Sequence, residues 1–312
     1  MGGTTVRWRR SAAVTALALA ALAGCSTGGG TGAGAGGTSA GPASPGRTAA
    51  RGSVPRPVTA LQAVDRSTGR ARSARVEGTA VLGPGISTRM TGTMAWDGSV
   101  TGSLDITYTG GALADTLRQA GAGSTVRARY RRDAYYADMG PGFAARTGGR
   151  RWIRYGYADL TRLMGPSGAA LRDQMRKAAP DQGVKALLAS GDVHRAGQTD
   201  IRGVPATHYS GTLDVAALTE RDSALTPAAL KAVRAQLTAA GISTETVDIW
   251  VDRNDLLVKK TERGRLKTGT YSSTVYYSDY GTAVRADAPP AGDTTDFTDL
   301  LKTPVSTPAP GA

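Results

Sequence analysis

The chain has 312 residues, with 38 Lys and Arg against 25 Asp and Glu, a net charge of +13, and one cysteine. A single thiol excludes an intrachain disulfide and a thiolate metal site, so the fold must rest on its apolar core. The positive charge is spread over a long chain, which suits a polyanionic neighbourhood such as lipid headgroups or cell-wall phosphates rather than a reader of nucleic-acid sequence. Arginine outnumbers lysine 31 to 7, a bias that points to GC-rich coding.

The N-terminus carries Arg7, Arg9 and Arg10, then an uncharged run from Ser11 to Leu22, then Ala23-Gly24-Cys25. A basic segment, a short apolar segment and small residues at the cut describe an export signal. The run is shorter than the roughly 20 apolar residues needed to cross a bilayer. Leu22-Ala23-Gly24-Cys25 resembles the lipobox of bacterial lipoproteins. The resemblance implies that residues 1–24 are a signal peptide and that Cys25 becomes a diacylglyceryl-modified N-terminus, on the outer face of the cell membrane. An ordinary cleaved signal with an incidental cysteine is the alternative. Arg9-Arg10 also hints at twin-arginine export, although Ser11-Ala12 stand where that pathway favours bulky apolar residues.

Residues 25–56 are rich in Gly, Ser, Thr, Ala and Pro and hold no large apolar side chain before Val54. Such a segment cannot bury enough area to offset the entropy of ordering and is expected to be a disordered tether. Folded structure is expected over 57–302 as one domain, with a disordered Pro-rich tail over 303–312. Val58, Leu61 and Val64 predict a short helix ending before Thr68-Gly69. Arg75 to Leu82 reads as a strand. Met90, Met94 and Trp96 share one parity, as do Val100, Leu104, Ile106 and Tyr108 beyond Asp97-Gly98. This pattern predicts a hairpin with one apolar face, closed by a two-residue type I′ turn. Val126, Ala128 and Tyr130 then alternate with Arg127, Arg129 and Arg131. Strands are also expected over Ala134 to Met139 and Trp152 to Tyr157, and helices from Leu160 to Ala189, broken near Gly165-Pro166 and Pro180.

In the second half, strands are expected over Asp192 to Gln198 and Val204 to Asp214, joined by a turn at Asp200 to Gly203. Thr226 as cap, Pro227 in the first position and Gly241 past the end frame a helix. Strands follow over Val247 to Val251, Leu256 to Glu262 and Gly269 to Tyr280, then a helical turn or two over Asp296 to Lys302.

The string Gly203-Val204-Pro205-Ala206-Thr207-His208-Tyr209-Ser210-Gly211-Thr212-Leu213-Asp214, the capped helix, Val247-Asp248-Ile249-Trp250-Val251-Asp252 and Pro289-Pro290 together resemble the actinobacterial lipoproteins of the LppX–LprG group. The resemblance implies a LolA-like α+β fold: a strongly curved antiparallel β-sheet, a half-barrel, wrapped around a few helices and enclosing an apolar cavity for acyl chains. It implies a lipoprotein that binds or carries a lipid or other apolar molecule; the residues themselves show no catalytic or phosphate-loop signature, so no catalysis and no cofactor are expected. The lining of such a cavity is expected at Met90, Met94, Trp96, Leu104, Ile106, Tyr108 and Tyr130; the same residues would equally suit a filled core.

Arg127, Arg129 and Arg131 are the candidate anion or headgroup surface, since guanidinium groups pair with phosphate in two-pronged fashion. They would also suit docking to an envelope protein partner, or simply a solvated face. The two histidines, His194 and His208, lie on expected strands without a nucleophile elbow, and His208 shares the polar parity of Ser210 and Thr212. Asp248 and Asp252, four apart, read as a solvated strand face.

Overall fold

The computed structural model describes residues 56–119, 123–163, 179–219, 223–239, 241–266 and 269–302. The signal peptide, Cys25, the tether, the tail and the middle of the expected 160–189 helical region lie outside the described residues.

The chain starts its sheet in the middle and builds outward. From β1 (Ser73–Leu82) it proceeds through β2 (Ile86–Ala95), β3 (Thr101–Gly110), β4 (Thr125–Tyr130), β5 (Ala134–Asp138) and β6 (Trp152–Gly156), each antiparallel to the one before. It then crosses to the far edge. There β7 (His194–Ile201), β8 (Val204–Asp214), β9 (Ile242–Val251), β10 (Leu257–Leu266) and β11 (Gly269–Ser278) return inward until β11 pairs with β1. A short β12 (Thr294–Asp296) joins the other edge, parallel to β6. The order among the described residues is β12-β6-β5-β4-β3-β2-β1-β11-β10-β9-β8-β7, a curved sheet whose edges do not meet. The α+β, half-barrel expectation describes this architecture.

The β2–β3 connection differs from its expected form. Met90 faces Ile106, Met94 faces Gly102 and Ala95 faces Thr101, leaving a five-residue loop, Trp96 to Val100. Directly opposed residues share a face in an antiparallel pair. A two-residue turn at Asp97-Gly98 would instead have set Met90 opposite Asp105, apolar against polar. Burying one face rejects that one-residue slip. The type I′ geometry occurs between β7 and β8, where Ile201 faces Val204 and both Arg202 (φ 55°) and Gly203 (φ 87°) are left-handed.

The first helix, α1 (Pro57–Ala71), runs past Thr68-Gly69 and ends at Arg72, whose φ is 60°. Thr68 is buried with Leu61 and Val64, so continuing the helix seats one more turn against the core. Helix α2 (Ala112–Gln119) was not anticipated amid its flanking glycines; Leu113 and Leu117, four apart, bury one side of it. A short α3 (Pro141–Ala144) interrupts the Gly-rich loop, and 157–163 is helical after β6. Helix α4 (Asp181–Ser190) begins after Pro180 and stops at Gly191 (φ 67°). In α5 (Pro227–Ala239) the Thr226 hydroxyl accepts from the Ala229 N–H at 3.3 Å. The last helix is α6 (Phe297–Lys302).

The inner face of the sheet carries the main apolar cluster, including Val76, Met90, Leu104, Ile106, Val126, Val247, Ile249 and Val275, closed over by Leu61 and Val64 of α1 and Val184 and Leu187 of α4. Gly183 lets α4 approach: a Cβ there would lie 2.4 Å from Lys260 Cδ. After β11 the chain doubles back as a strap over the outer face. The Ser103 hydroxyl donates to Arg285 O at 2.6 Å, and Arg129 and Arg131 each donate to the strap, to Asp287 O and Ala286 O at 2.8 Å. That strap delivers β12 to its edge.

Candidate functional site on the inner face of the sheet

Six of the seven expected lining residues meet on the inner face of β2, β3 and β4. Met90, Met94, Leu104, Ile106, Tyr108 and Tyr130 are all buried in the main cluster. Trp96, in the β2–β3 loop, packs against that cluster without being fully buried in it. Half-buried, it donates Nε1–H to Thr68 O at 3.2 Å and meets Tyr280 edge-on, with centroids 6.3 Å apart.

Aromatic rings continue this surface across the sheet. Tyr130 faces Tyr135, which faces Tyr155, because the β4–β5–β5–β6 registers place them opposite one another. Ring centroids are 5.1 Å apart for Tyr130–Tyr135, 5.6 Å for Tyr135–Tyr155 and 5.0 Å for Tyr155–Phe297. Burial, reinforced by neighbouring phenols, pushes the hydroxyls of Tyr108, Tyr130 and Tyr135 above their ordinary pKa, so all three remain protonated donors. Among the described residues none of these three hydroxyls has a hydrogen-bond partner.

The other half of the inner face is ionic, which sequence reasoning missed. Lys260, 1% exposed, holds Glu262 through a 2.6 Å Nζ–Oε1 contact, and Tyr271 donates its hydroxyl to Glu245. Burial and the nearby Glu262 push the Glu245 carboxyl up to about 7. Lys260 and Glu262 escaped notice because of a register shift between Leu257 and Lys259. Leu257 belongs to the main inner cluster, whereas Val258 packs with Ala206 and Trp250 in a separate one. A bulge of this kind inverts the inward parity downstream, turning Lys260 and Glu262 inward.

On the outer face, Arg127, Arg129 and Arg131 all have partners within the chain. Arg127 lies 3.1 Å from Asp138, which Arg151 also grips with two contacts of 2.8 and 2.7 Å. Arg129 reaches the strap and lies over the Trp152 ring at 4.8 Å, and Arg131 reaches the strap next to it. Asp138 is 3% exposed and also accepts from the Gly140 N–H. Asp138→Ala therefore leaves two guanidinium groups and one amide without their shared acceptor. Because both arginines still reach solvent, the expected loss is about 2 kcal/mol, read as a lower midpoint in denaturant unfolding.

His208 stacks on Trp250 with centroids 4.3 Å and planes 7° apart, and its Nε2 lies 2.9 Å from Asp248 Oδ1. Asp248 is not a solvated residue: it is 5% exposed and also takes Arg263 at 2.7 Å and the Thr261 hydroxyl at 3.3 Å. Burial opposes its ionisation, but hydrogen bonds from Ser210 and His208 and the Arg263 charge outweigh it and hold its carboxyl below the ordinary value. Asp252 sits instead in the β9–β10 turn, accepting from the Asn254 and Leu256 amides. His194 is exposed, near Asp192 O. Among the described residues no group of three or more His, Cys, Asp or Glu is placed to hold a metal ion. Among the described residues the inner face thus combines a buried apolar and aromatic cluster, three unpaired hydroxyls and one internally paired ion cluster.

No protein-family model matches the chain. A Streptomyces griseus protein described as an uncharacterized 31.2 kDa protein in the rplA-rplJ intergenic region is 56% identical over 252 residues, covering 81% of this chain and 83% of its own length. A Streptomyces coelicolor protein named "Putative lipoprotein SCO4650" is 48% identical over 242 residues, covering 78% and 75% respectively. Among solved structures, LprF from Mycobacterium bovis aligns over 74% of this chain and 96% of its own, at 15% identity and a TM-score of 0.43.

Proposed function

The chain belongs to the family of these two Streptomyces proteins, one of them named as a lipoprotein, and from that premise we propose that it is a membrane-anchored extracytoplasmic lipoprotein that binds or carries a lipid or other apolar molecule, without catalysis. The observation that supports this reading is the shared buried cluster of Met90, Met94, Leu104, Ile106, Tyr108 and Tyr130 on the inner face of a curved sheet whose edges do not meet. The lipobox at Leu22 to Cys25 supports the anchor, and two acyl chains on Cys25 would hold the protein stably where one would bind marginally. The second reading, docking to a membrane protein or anionic surface through Arg127, Arg129 and Arg131, draws less support, because those guanidinium groups are engaged within the chain.

The test uses the full chain extracted from membranes in mild detergent. Its intact mass should correspond to an N-terminus at Cys25 bearing a diacylglyceryl group, and Cys25→Ala should lose that added mass while melting at the same temperature. Solvent extraction of the purified protein should yield lipid in proportion to protein, beyond the covalent anchor. A bare polypeptide that takes up no added phospholipid would overturn the reading.

A further inference from the structure

Tyr108, Tyr130 and Tyr135 are 4%, 2% and 0% exposed, and their three hydroxyls find no hydrogen-bond partner among the described residues. A buried polar group left unpaired costs about 1–3 kcal/mol, and native interiors rarely tolerate several together. Tyr130 and Tyr135 face one another across β4 and β5 with tilted rings 5.1 Å apart, and Tyr108 belongs to the same buried cluster, its phenol among those that raise their pKa. Among the described residues, the ionisable groups that act on these hydroxyls are other phenols. The ions of the inner face sit in its other half, already paired with one another.

We infer that the hydroxyls of Tyr108, Tyr130 and Tyr135 form a polar subsite that donates hydrogen bonds to uncharged acceptor oxygens of the bound molecule, the ester carbonyls at the head of a neutral acylated lipid. The inference rests on the lipid-binding reading above and adds what part of the ligand is recognised, and where. Among the described residues a phosphate or carboxylate head at this place would meet no counter-charge, at a cost the three hydroxyls do not offset. An ester carbonyl carries no such penalty and accepts what the phenols have to give. Burial of all three rings holds the hydroxyls in position, so little entropy is lost when the ligand arrives.

The experiment measures equilibrium uptake of radiolabelled dioleoylglycerol and of squalene, each supplied in detergent micelles, by the full chain and by Tyr108→Phe/Tyr130→Phe/Tyr135→Phe. The variant keeps every ring and removes only the oxygens. Its affinity for dioleoylglycerol should fall by about tenfold or more, the scale of one to a few hydrogen bonds, while squalene, which has no acceptor, binds as before. Its lipid-free form should melt at a higher temperature, because the unpaired hydroxyls are gone. Tyr130→Phe alone, a milder change, should shift dioleoylglycerol affinity in the same direction by less. Equal dioleoylglycerol affinity in wild type and both variants would overturn the subsite and leave the carrier reading standing. Failure of the wild type to take up either probe would overturn both.

Discussion

Lys260→Met is expected to destabilise the protein by about 3–5 kcal/mol, the scale for breaking a buried ion pair by removing one partner. The ammonium is 1% exposed and lies 2.6 Å from Glu262, itself 6% exposed, with Glu245 close enough to be affected by it. Methionine reproduces the aliphatic stem against which Gly183 of α4 packs, so the loss isolates charge from packing. It leaves a buried carboxylate with no cation beside a second acidic group. Adding Glu262→Gln removes that stranded charge, and the double variant should recover most of the loss. Denaturant unfolding of the two single variants and the double variant gives the coupling. If the double variant is as unstable as the sum of the singles, the pair contributes no specific interaction and the cluster is not the unit described here.

Stability should also fall as pH rises from about 4.5 to about 7, through Glu245. In the folded protein its carboxyl keeps its proton up to about 7, whereas the unfolded chain releases it near the ordinary 4.5. Across that window the native state binds more protons than the unfolded state, so raising pH favours unfolding. The slope is at most about 1.4 kcal/mol per pH unit, amounting to roughly 3 kcal/mol over the window. Below it both states are protonated, and above it both are ionised, so the contribution is flat on either side. Glu245→Gln, which can still accept from Tyr271, should remove this slope. Carboxylates held in ion pairs act the other way: Asp248, with its lowered pKa, stabilises the fold above its unfolded value and loses that contribution in acid. The informative quantity is therefore the wild-type profile minus that of Glu245→Gln. A difference that does not change between pH 4.5 and 7 would show that the carboxyl ionises normally in the fold.

Much of the sheet was legible because alternation is a local property. Val126-Arg127-Ala128-Arg129-Tyr130-Arg131 can bury only one parity, and the strand forms with Val126, Ala128 and Tyr130 inward. The helix framed by Thr226, Pro227 and Gly241 was equally readable, since its signals act within one turn of each end. Even the five-residue β2–β3 loop was implicit: matching Met90 and Met94 to Leu104 and Ile106 on one face demands an odd number of loop residues. The local turn signal at Asp97-Gly98 lost to the burial of a whole face. Helix α2 and strand β12 were not legible. The first has only two large apolar residues between glycine-rich flanks, and the second exists because the strap carries it to the edge of β6.

The site divides along the same line. The sequence by itself determined that Met90 and Met94 would share one face of their strand, and Leu104, Ile106 and Tyr108 one face of theirs, because side chains two apart on a strand point the same way. Only the tertiary structure decided what else joined them. Tyr135 and Tyr155 meet Tyr130 through strand register, and the arginines opposite them hold the strap and Asp138 rather than standing free. The β10 bulge turned Lys260 and Glu262 into the interior. Period-two patterning tells which residues travel together; which way the set faces depends on register, and register is set by partners distant in the chain.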